Sequence, residues 1–431
     1  MSSKEKSEAT TGGESALVPE RRFLEFQDEG PWTTVTLASV ARVSTEKVQD
    51  KDCIPMSITS GVGLVSQMEK FGRVIAGDSY KNYLLLKKHD FAYNKSATKE
   101  YPQGFIALYT GEVLAAVPNS IFTCFRLKGD ALSPQYLNYL LLGNLHGRWL
   151  QKFIEVGARA HGSLSINDGD LLSLPVPVPA GSNSLKEQQK IADCLASADA
   201  LIAAQGRKVE ALRGHKKGLM QQLFPQEGET QPRLRFPEFQ NAKDWKKAKL
   251  GNYVVIGSGD SPSKFSLSTT GKYALVKVED LNNSTKYQDS GREYCDDSHR
   301  AIPINSIIFP KRGAAIELNK IRITKSEIVI DTNMMALTPQ NNLATEFLYY
   351  NISNVGLSHI ADNSTIPQIN NKHIIPFDFL LPTPLEQRRI ADCLTSLDDL
   401  IAAESQKLDT LKTHKRGLMQ QLFPRVGEVD A

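Results

Sequence analysis

The residues best able to do chemistry in this chain are scattered and form no catalytic signature. Gly271-Lys272 lacks the upstream glycine that a phosphate-cradling loop needs to aim its backbone N–H groups at an anion. No G-x-G-x-x-G follows a strand-like run, and no Asn-Pro-Pro-aromatic segment suited to amino-methyl transfer is present. The eight histidines include neither H-x-x-x-H nor H-E-x-x-H, spacings that would turn two imidazoles toward zinc on one helical face. Asp260-Ser261-Pro262-Ser263-Lys264 sets a carboxylate near an ammonium, as some nucleases do, but its Ser and Pro content favours a turn. The five cysteines show no C-x-x-C pairing, and Cys194 and Cys393 fall inside apolar helical patterns, where buried free thiols are common. A reduced, cytoplasmic protein is the simplest expectation.

With no reaction to position, the elements themselves carry the information. A chain of 431 residues, 41% hydrophobic and 23% charged, has room for two or three domains with separate cores. No run approaches ~18 uninterrupted apolar residues, so no membrane span is expected. Residues 1–18 open with MSSKEKSEATTGGESA, polar and lacking the apolar core of a secretory signal, and are expected to form a disordered tail. A net charge of +3 is too small to point by itself to a polyanionic partner.

The strongest pattern is a repeat. Residues 187–225 read EQQKIADCLASADALIAAQGRKVEALRGHKKGLMQQLFP, and residues 386–424 read EQRRIADCLTSLDDLIAAESQKLDTLKTHKRGLMQQLFP; 25 of the 39 positions are identical at an offset of 199. Each copy opens on a capping box, Ser184 with Glu187 and Thr383 with Glu386, and Pro384 fits a first helical position. Neither copy meets another proline before Pro225 or Pro424, which predicts a helix of roughly 58 Å. A heptad follows: a positions Leu195, Ile202, Val209, Lys216 and Leu223, and d positions Ile191, Ala198, Gln205, Leu212 and Leu219. The second copy repeats it 199 residues later. Two such helices in one chain predict an antiparallel coiled coil with pseudo-twofold symmetry; the alternative is two separate homodimerisation helices. The polar seam residues Gln205, Glu404, Lys216 and Lys415 would fix register. His215 and His414 share one repeat position, which favours a structural or docking role. Gly218 and Gly417 each weaken a helix by ~1 kcal/mol relative to Ala, which suggests close approach by another surface. Beside them, Leu219, Met220, Leu223 and Phe224, with Leu418, Met419, Leu422 and Phe423, form either an exposed docking site for two copies of one partner or a helix end packed on its own domain.

A fainter repeat completes the plan. Residues 19–37 (PERRFLEFQDEGPWTTVTL) return as residues 232–250 (PRLRFPEFQNAKDWKKAKL) at an offset of 213, so the first variable region is the longer by 14 residues. The expected organisation is a tail (1–18), a first variable domain (19–183), a first helix (184–225), a linker (226–231), a second variable domain (232–382), a second helix (383–424) and a tail (425–431). Strand-like runs at 82–86, 107–114, 273–278, 306–310 and 321–330, with helices at 134–149 and 345–352, make both variable regions β-rich. Proline-rich exits at 174–179 and 380–384 stop the chain before each helix. The fold class is α+β: two β-rich globular domains separated by two long helices.

This order resembles the DNA-specificity subunit of type I restriction–modification enzymes. The phrases Glu187-Gln188, Ile191-Ala192 and Lys217-Gly218-Leu219-Met220-Gln221-Gln222-Leu223-Phe224-Pro225 resemble that family's central conserved region, and their copies its second one. Arg235-Phe236-Pro237-Glu238-Phe239 resembles its lead-in, with Leu24 departing from the usual proline. Ser258-Gly259-Asp260-Ser261-Pro262-Ser263 resembles the turn opening many of its target-recognition domains, and Asp90-Phe91-Ala92-Tyr93-Asn94-Lys95-Ser96 a segment of one domain type. The resemblance spans residues 19 to 424. It implies a subunit without chemistry, in which each variable domain reads half of a split target on double-stranded DNA and the helices set the spacer. Two methylation subunits would dock on the helices, and motor–nuclease subunits would join through them. The chain would hold no cofactor and no metal; S-adenosylmethionine, ATP and Mg2+ would sit on the partners. Candidate DNA contacts are Lys81, Asn94, Lys95, Ser96, Lys99 and Arg159 in the first domain, the last in a GARAHG loop, and Ser261, Ser263, Lys264, Lys311, Arg312 and Ser364 in the second. A coiled-coil adaptor that does not touch DNA is the competing class; a self-contained restriction–methylation enzyme is disfavoured by the missing cofactor motifs.

Overall fold

The computed structural model describes residues 17–59, 61–154, 164–226, 228–296, 300–362 and 364–425. Most of the expected N-terminal tail, all but one residue of the C-terminal tail, and Arg159 with its GARAHG loop lie outside these residues. The chain divides into two compact units: unit 1 holds residues up to Ala204 together with those from Leu408 onward, and unit 2 holds Gln205–Lys407. Each unit therefore owns one variable domain, the beginning of one long helix and the end of the other.

In unit 1 the lead-in strand Thr33–Thr36 pairs antiparallel with Pro175–Val178, and in unit 2 Lys246–Lys249 pairs with Asp378–Leu381. The proline-rich exits are thus strands as well as stops. Proline is tolerated there because a two-stranded ribbon has only edges. These ribbons close each domain where its chain enters and leaves.

Between the ribbons the two domains share one strand plan despite unlike sequences. Unit 1 orders Ala41–Ser44, Phe122–Leu127, Phe91–Asn94 and Phe105–Leu108 in one sheet. Its second sheet orders Gly63–Ser66, Ile54–Thr59, Ala115–Val117 and Leu84–Leu86. Unit 2 orders Val254–Ser258, Met334–Pro339, Ile307–Pro310, Arg322–Thr324 and Tyr287–Gln288 in one sheet, and Glu293–Cys295, Tyr273–Val276 and Ile328–Ile330 in the other. A parallel pair falls at the same place in both, Ile54 against Ala115 and Ala274 against Ile328, and unit 2 adds a second, Tyr287 against Ile323. Central strands buried on both faces read as continuous apolar runs, as in Phe91-Ala92-Tyr93 and Ile307-Ile308-Phe309. Ile307–Pro310 falls in the expected 306–310 run, whereas Phe91–Asn94 lies in none of the expected strands because a strand buried on both faces shows no alternation.

Three expected elements differ in detail. The 107–114 run ends as a strand at Leu108 and turns before Ala115. The 321–330 run is two strands, Arg322–Thr324 and Ile328–Ile330, split by a turn. The 134–149 helix breaks after Leu142, where Asn144 takes φ 63°, left-handed backbone that Asn tolerates better than most residues.

The long helices run Ser184–Leu223 and Pro384–Leu422. Within unit 1, Lys415 of the second helix reaches Asp199 of the first (2.5 Å), while Leu422 and Phe423 join the core that holds Ile191 and Leu195. Within unit 2, Lys216 reaches Asp398 (2.5 Å), and Gln205 Nε2 donates to Glu404 Oε2 (2.6 Å). Rising numbers on one helix meet falling numbers on the other, so the pairing is antiparallel within each unit. All four polar seam residues are spent on cross-helix bonds.

The capping boxes are not completed. Glu187 and Glu386 are almost fully buried and turn away from the caps toward the lead-ins. Arg22 grips Glu187 through two bonds of 2.7 Å, and Arg235 grips Glu386 at 2.7 and 2.8 Å, both in fork geometry. Only the Thr383 hydroxyl makes its half of a box, to the Glu386 N–H. The next residue does equal service: Gln188 Oε1 accepts from Ser133 N, and Gln387 Oε1 from Ala344 N, at the starts of helices Pro134–Leu142 and Thr345–Val355. A Glu-Gln pair that looked like helix chemistry is therefore a strap between long helix, lead-in and variable domain.

Candidate nucleic-acid interface

In unit 2 the sequence candidates converge on one turn. Strands Ile328–Ile330 and Met334–Pro339 are joined through Asp331, whose carboxylate accepts from Asn333 N (3.0 Å) and Nδ2 (3.2 Å). Asp260 N donates to Ile330 O at 3.1 Å, and a Cβ on Gly259 would fall 1.9 Å from Asp331 O. Only glycine lets the Ser258–Ser263 turn lie that close. On the other side Lys311 N donates to Asn333 O (2.8 Å), and Lys311 O accepts from Ile369 N (2.9 Å). Gly313 N then donates to Pro367 O (3.0 Å), and Arg312 bridges Gln368 antiparallel. Ser261, Ser263, Lys264, Lys311, Arg312 and Ser364 are thereby gathered around residues 331–333.

Their charges are not equivalent. Lys264 pairs with Asp260 at 2.9 Å and Arg300 faces the same carboxylate at 3.4 Å, so Asp260 is held below its usual range, by the Lys264 hydrogen bond above all. Ser261 and Ser263 share a hydroxyl bond of 2.8 Å. Ser364 Oγ lies 2.6 Å from Asp362 Oδ1, which lowers that carboxylate's pKa, with help from the Gln368 N–H. Among the described residues, Lys311 and Arg312 have no carboxylate partner. Asp331, Asn333, Asp362 and Gln368, which build this arrangement, were not foreseen.

Unit 1 hangs its candidates the same way. Asn94 ends a strand and its Oδ1 takes Ser96 N (2.9 Å), an Asx turn. Lys95 N donates to Ile121 O (2.9 Å) and Lys95 O accepts from Leu164 N (2.8 Å). Lys95 and Lys311 therefore occupy equivalent backbone positions in domains of unrelated sequence. Lys81 pairs with Asp50 at 3.2 Å on the surface, and Lys99 is exposed. Lys81 precedes strand Leu84–Leu86, whose partner Ala115–Val117 leads into the segment carrying Ile121. Arg159 is not placed.

The proposed docking cluster needs correction. Leu223 and Phe224 are 1% exposed inside the unit 2 core, and Leu422 and Phe423 are buried inside that of unit 1. Leu219, Met220, Leu418 and Met419 are half-buried against the same cores. The apolar ends pack on the chain's own domains because Phe224 fills a cluster with Trp245 and Phe347, and Phe423 packs edge-on to Tyr136. What stays accessible on the repeated block is a different face. His215, Gly218 and Gln222 recur at helical spacing, and His414, Gly417 and Gln421 repeat them. A Cβ at Gly218 or Gly417 would meet nothing within 4 Å, so the chain's own packing does not require either glycine. Gly206 and Gly214, by contrast, are replaced by Ser405 and Thr413 in the second copy.

The fold and these sites define a duplicated, two-domain protein; among the described residues no group of three or more His, Cys, Asp or Glu side chains could hold a metal. No helix among them is long and apolar enough to cross a membrane. Residues 242–413 match the family model for the type I restriction modification DNA specificity domain. A protein of Methanocaldococcus jannaschii, described provisionally as the type I restriction enzyme MjaX specificity subunit, is 26% identical over 331 residues, covering 74% of each chain. The MjaVIII specificity subunit of that organism is 22% identical and covers 69% of this chain and 71% of its own. The fold is also that of a chain from a type I restriction–modification structure addressing complex assembly and conformational transition (TM-score 0.58, 16% identity, 91% of this chain and 97% of that one). The type I restriction–modification S subunit of M. genitalium is similar as well (TM-score 0.56, 15% identity, 95% and 100%). Residues 242–413 thus carry a type I restriction modification DNA specificity domain, and the chain is similar over about 70% of its length to type I specificity subunits.

Proposed function

We propose that this chain is the DNA-reading, non-catalytic subunit of a type I restriction–modification complex in the cytoplasm. Each variable domain recognises one half of a bipartite duplex target, and the long helices fix the unread spacer. The observation that carries this reading is the shared suspension of Lys95 and Lys311: each domain hangs a lysine by its backbone between the same two neighbouring segments, although the sequences around it are unlike. Lysine there positions phosphate; loop side chains discriminate bases. Two methylation subunits dock through the duplicated His-Gly-Gln face, and motor–nuclease subunits join through them. S-adenosylmethionine, ATP and Mg2+ are held by those partners.

Mapping methylated bases in cells that express the chain with its methylation partners tests the reading. A split motif with a fixed spacer is expected; sequence-independent methylation, or none, would sink it. Exchanging residues 232–382 for another such domain should change one half-site alone, and adding one heptad to each long helix should change only the spacer. Gly218→Trp or Gly417→Trp should each remove one of two methylation subunits. Two subunits retained by the doubly substituted chain would remove the docking face from the account.

A further inference from the structure

Resting on the DNA-reading function, we infer that Arg312 reads a guanine in the half-site of the second domain, with Gln368 as its positioning residue. Elimination narrows the choice first. Arg233 and Arg235 of the lead-in are paired with Glu229 and Glu386. Arg292 is engaged by Glu279 and Asp280, and Arg300 faces Asp260. Arg322 spends its guanidinium on the carbonyls of Leu281, Ser284 and Ile321. Arg312 is exposed, and among the described residues its side chain has one partner, an amide, Gln368 Oε1 at 3.4 Å. Most of its five donors are unspent.

The backbone around it is unusually well fixed for an exposed loop. Arg312 and Gln368 face each other across an antiparallel bridge, so their side chains leave on one face. Bonds from Gly313 N to Pro367 O and from Ile369 N to Lys311 O flank that bridge. Asp362 closes the loop behind it, accepting Gln368 N on its carboxylate (3.0 Å) and donating its own N–H to Gln368 O (3.0 Å). A phosphate contact gains little from such fixation, because a lysine on a flexible stem serves as well and Lys311 is adjacent. A bidentate contact to guanine O6 and N7 needs a planar fork held at one angle. Gln368 has committed its carbonyl oxygen to Arg312, so it is the support rather than an adenine reader.

The test uses full-length chain assembled with its methylation partners and a duplex library randomised across the target. Wild type should enrich a split motif with a G·C pair in one half. Arg312→Ala and Arg312→Lys should both lose preference at that pair, by roughly 5- to 150-fold, while the other half-site stays as it was. Arg312→Lys should keep its affinity for the unselected library. Gln368→Ala should blunt the same pair and no other, whereas a loop that had merely loosened would blur the whole half-site. An unchanged motif in both arginine variants, or weaker binding with the motif intact, overturns the inference and leaves DNA reading standing. A wild type that enriches no motif removes both.

Discussion

In unit 1 the polar step between the long helices runs from Lys415 to Asp199 to the hydroxyl of Tyr139. In unit 2 it runs from Lys216 to Asp398 to the hydroxyl of Tyr350, and there it continues to Lys286, whose ammonium also donates to Thr395. The helix members of the two chains of bonds are copies; the tyrosines come from domains with no common sequence. Position 395 is threonine where the first copy has Ala196. Duplication preserved the step that joins helix to helix and to the first turn of domain packing, and each domain was then free to add to it. Interfaces inside the repeat are fixed by the need to match a copy, whereas a domain's far side answers only to its own ligand.

The largest effect should come from breaking the shared strap. Glu187→Ala and Glu386→Ala each leave a buried guanidinium unpaired, a loss of about 3–5 kcal/mol. Trp245 is the tryptophan of unit 2 and its Nε1 donates to Glu386, while Trp32 Nε1 has no partner among the described residues. Denaturant unfolding followed by Trp245 emission should therefore move more in the Glu386 variant than unit 1 signals move in the Glu187 variant. Equal, small shifts would mean that the arginine–glutamate pairs are not what holds lead-in to helix.

A second difference is a titration that one domain carries alone. His146 is buried in unit 1, with Nε2 near Gly104 O (3.2 Å); it is the second residue of the short helix Leu145–Leu150, and the second residue of the short helix Leu357–Ile360 in unit 2 is Ser358. Burial pushes the His146 pKa down to about 4. The unfolded chain takes up a proton near pH 6.5 and the folded domain does not. Stability present above about pH 6.5 is thus lost as pH falls toward 4, by at most about 3 kcal/mol. His146→Leu should flatten that pH dependence in unit 1 and leave unit 2 unchanged; a slope that survives the substitution assigns the effect to other groups.

These contrasts also mark what could be seen before the fold was known. The long helices were legible because heptad spacing is a one-dimensional signal, and their antiparallel seam followed from two copies in one chain. The strand plan shared by the two domains was not legible, since strands buried on both faces obey volume rather than alternation and keep no common residues. Glu187 and Glu386 misled for a clearer reason: a glutamate three residues past a hydroxyl fits a cap, and only the distant Arg22 and Arg235 turn it aside. The apolar helix ends likewise could not show which side of the chain would cover them. Lys311, Arg312 and Ser364 were chosen for residue type alone; that Lys311 hangs from Asn333 while Arg312 meets Gln368, which Asp362 ties to Ser364, is a tertiary fact.

The two half-buried glycines test the copied face itself. Gly218→Ala and Gly417→Ala should each stabilise the chain by about 1 kcal/mol, because a helix interior favours alanine and the added methyl meets open space. If the face receives a partner, both substitutions should weaken assembly with the methylation subunits while raising the melting temperature of the isolated chain. Stabilisation with unchanged assembly would make the glycines relics of the duplication.

The smallest expected effect bears on Lys286, where the two units differ most. Lys286 is 7% exposed and burial pulls its pKa down, which is a cost to the folded state. Against that cost stand bonds to Tyr350 (2.9 Å) and Thr395 (2.8 Å) and the faces of Tyr349 and Tyr350 within 5.7 Å. Replacing a buried charge by an apolar side chain of similar length removes both sides of that balance, so Lys286→Met should change stability by no more than about 1 kcal/mol in either direction. Tyr350 keeps its bond to Asp398, so the step shared with unit 1 survives. A loss as large as that from Glu386→Ala would instead show that the lysine helps to hold Asp398 and Lys216 together. The extension would then be part of the helix seam, and the boundary drawn here between the copied step and the domain's own addition would lie one residue too early.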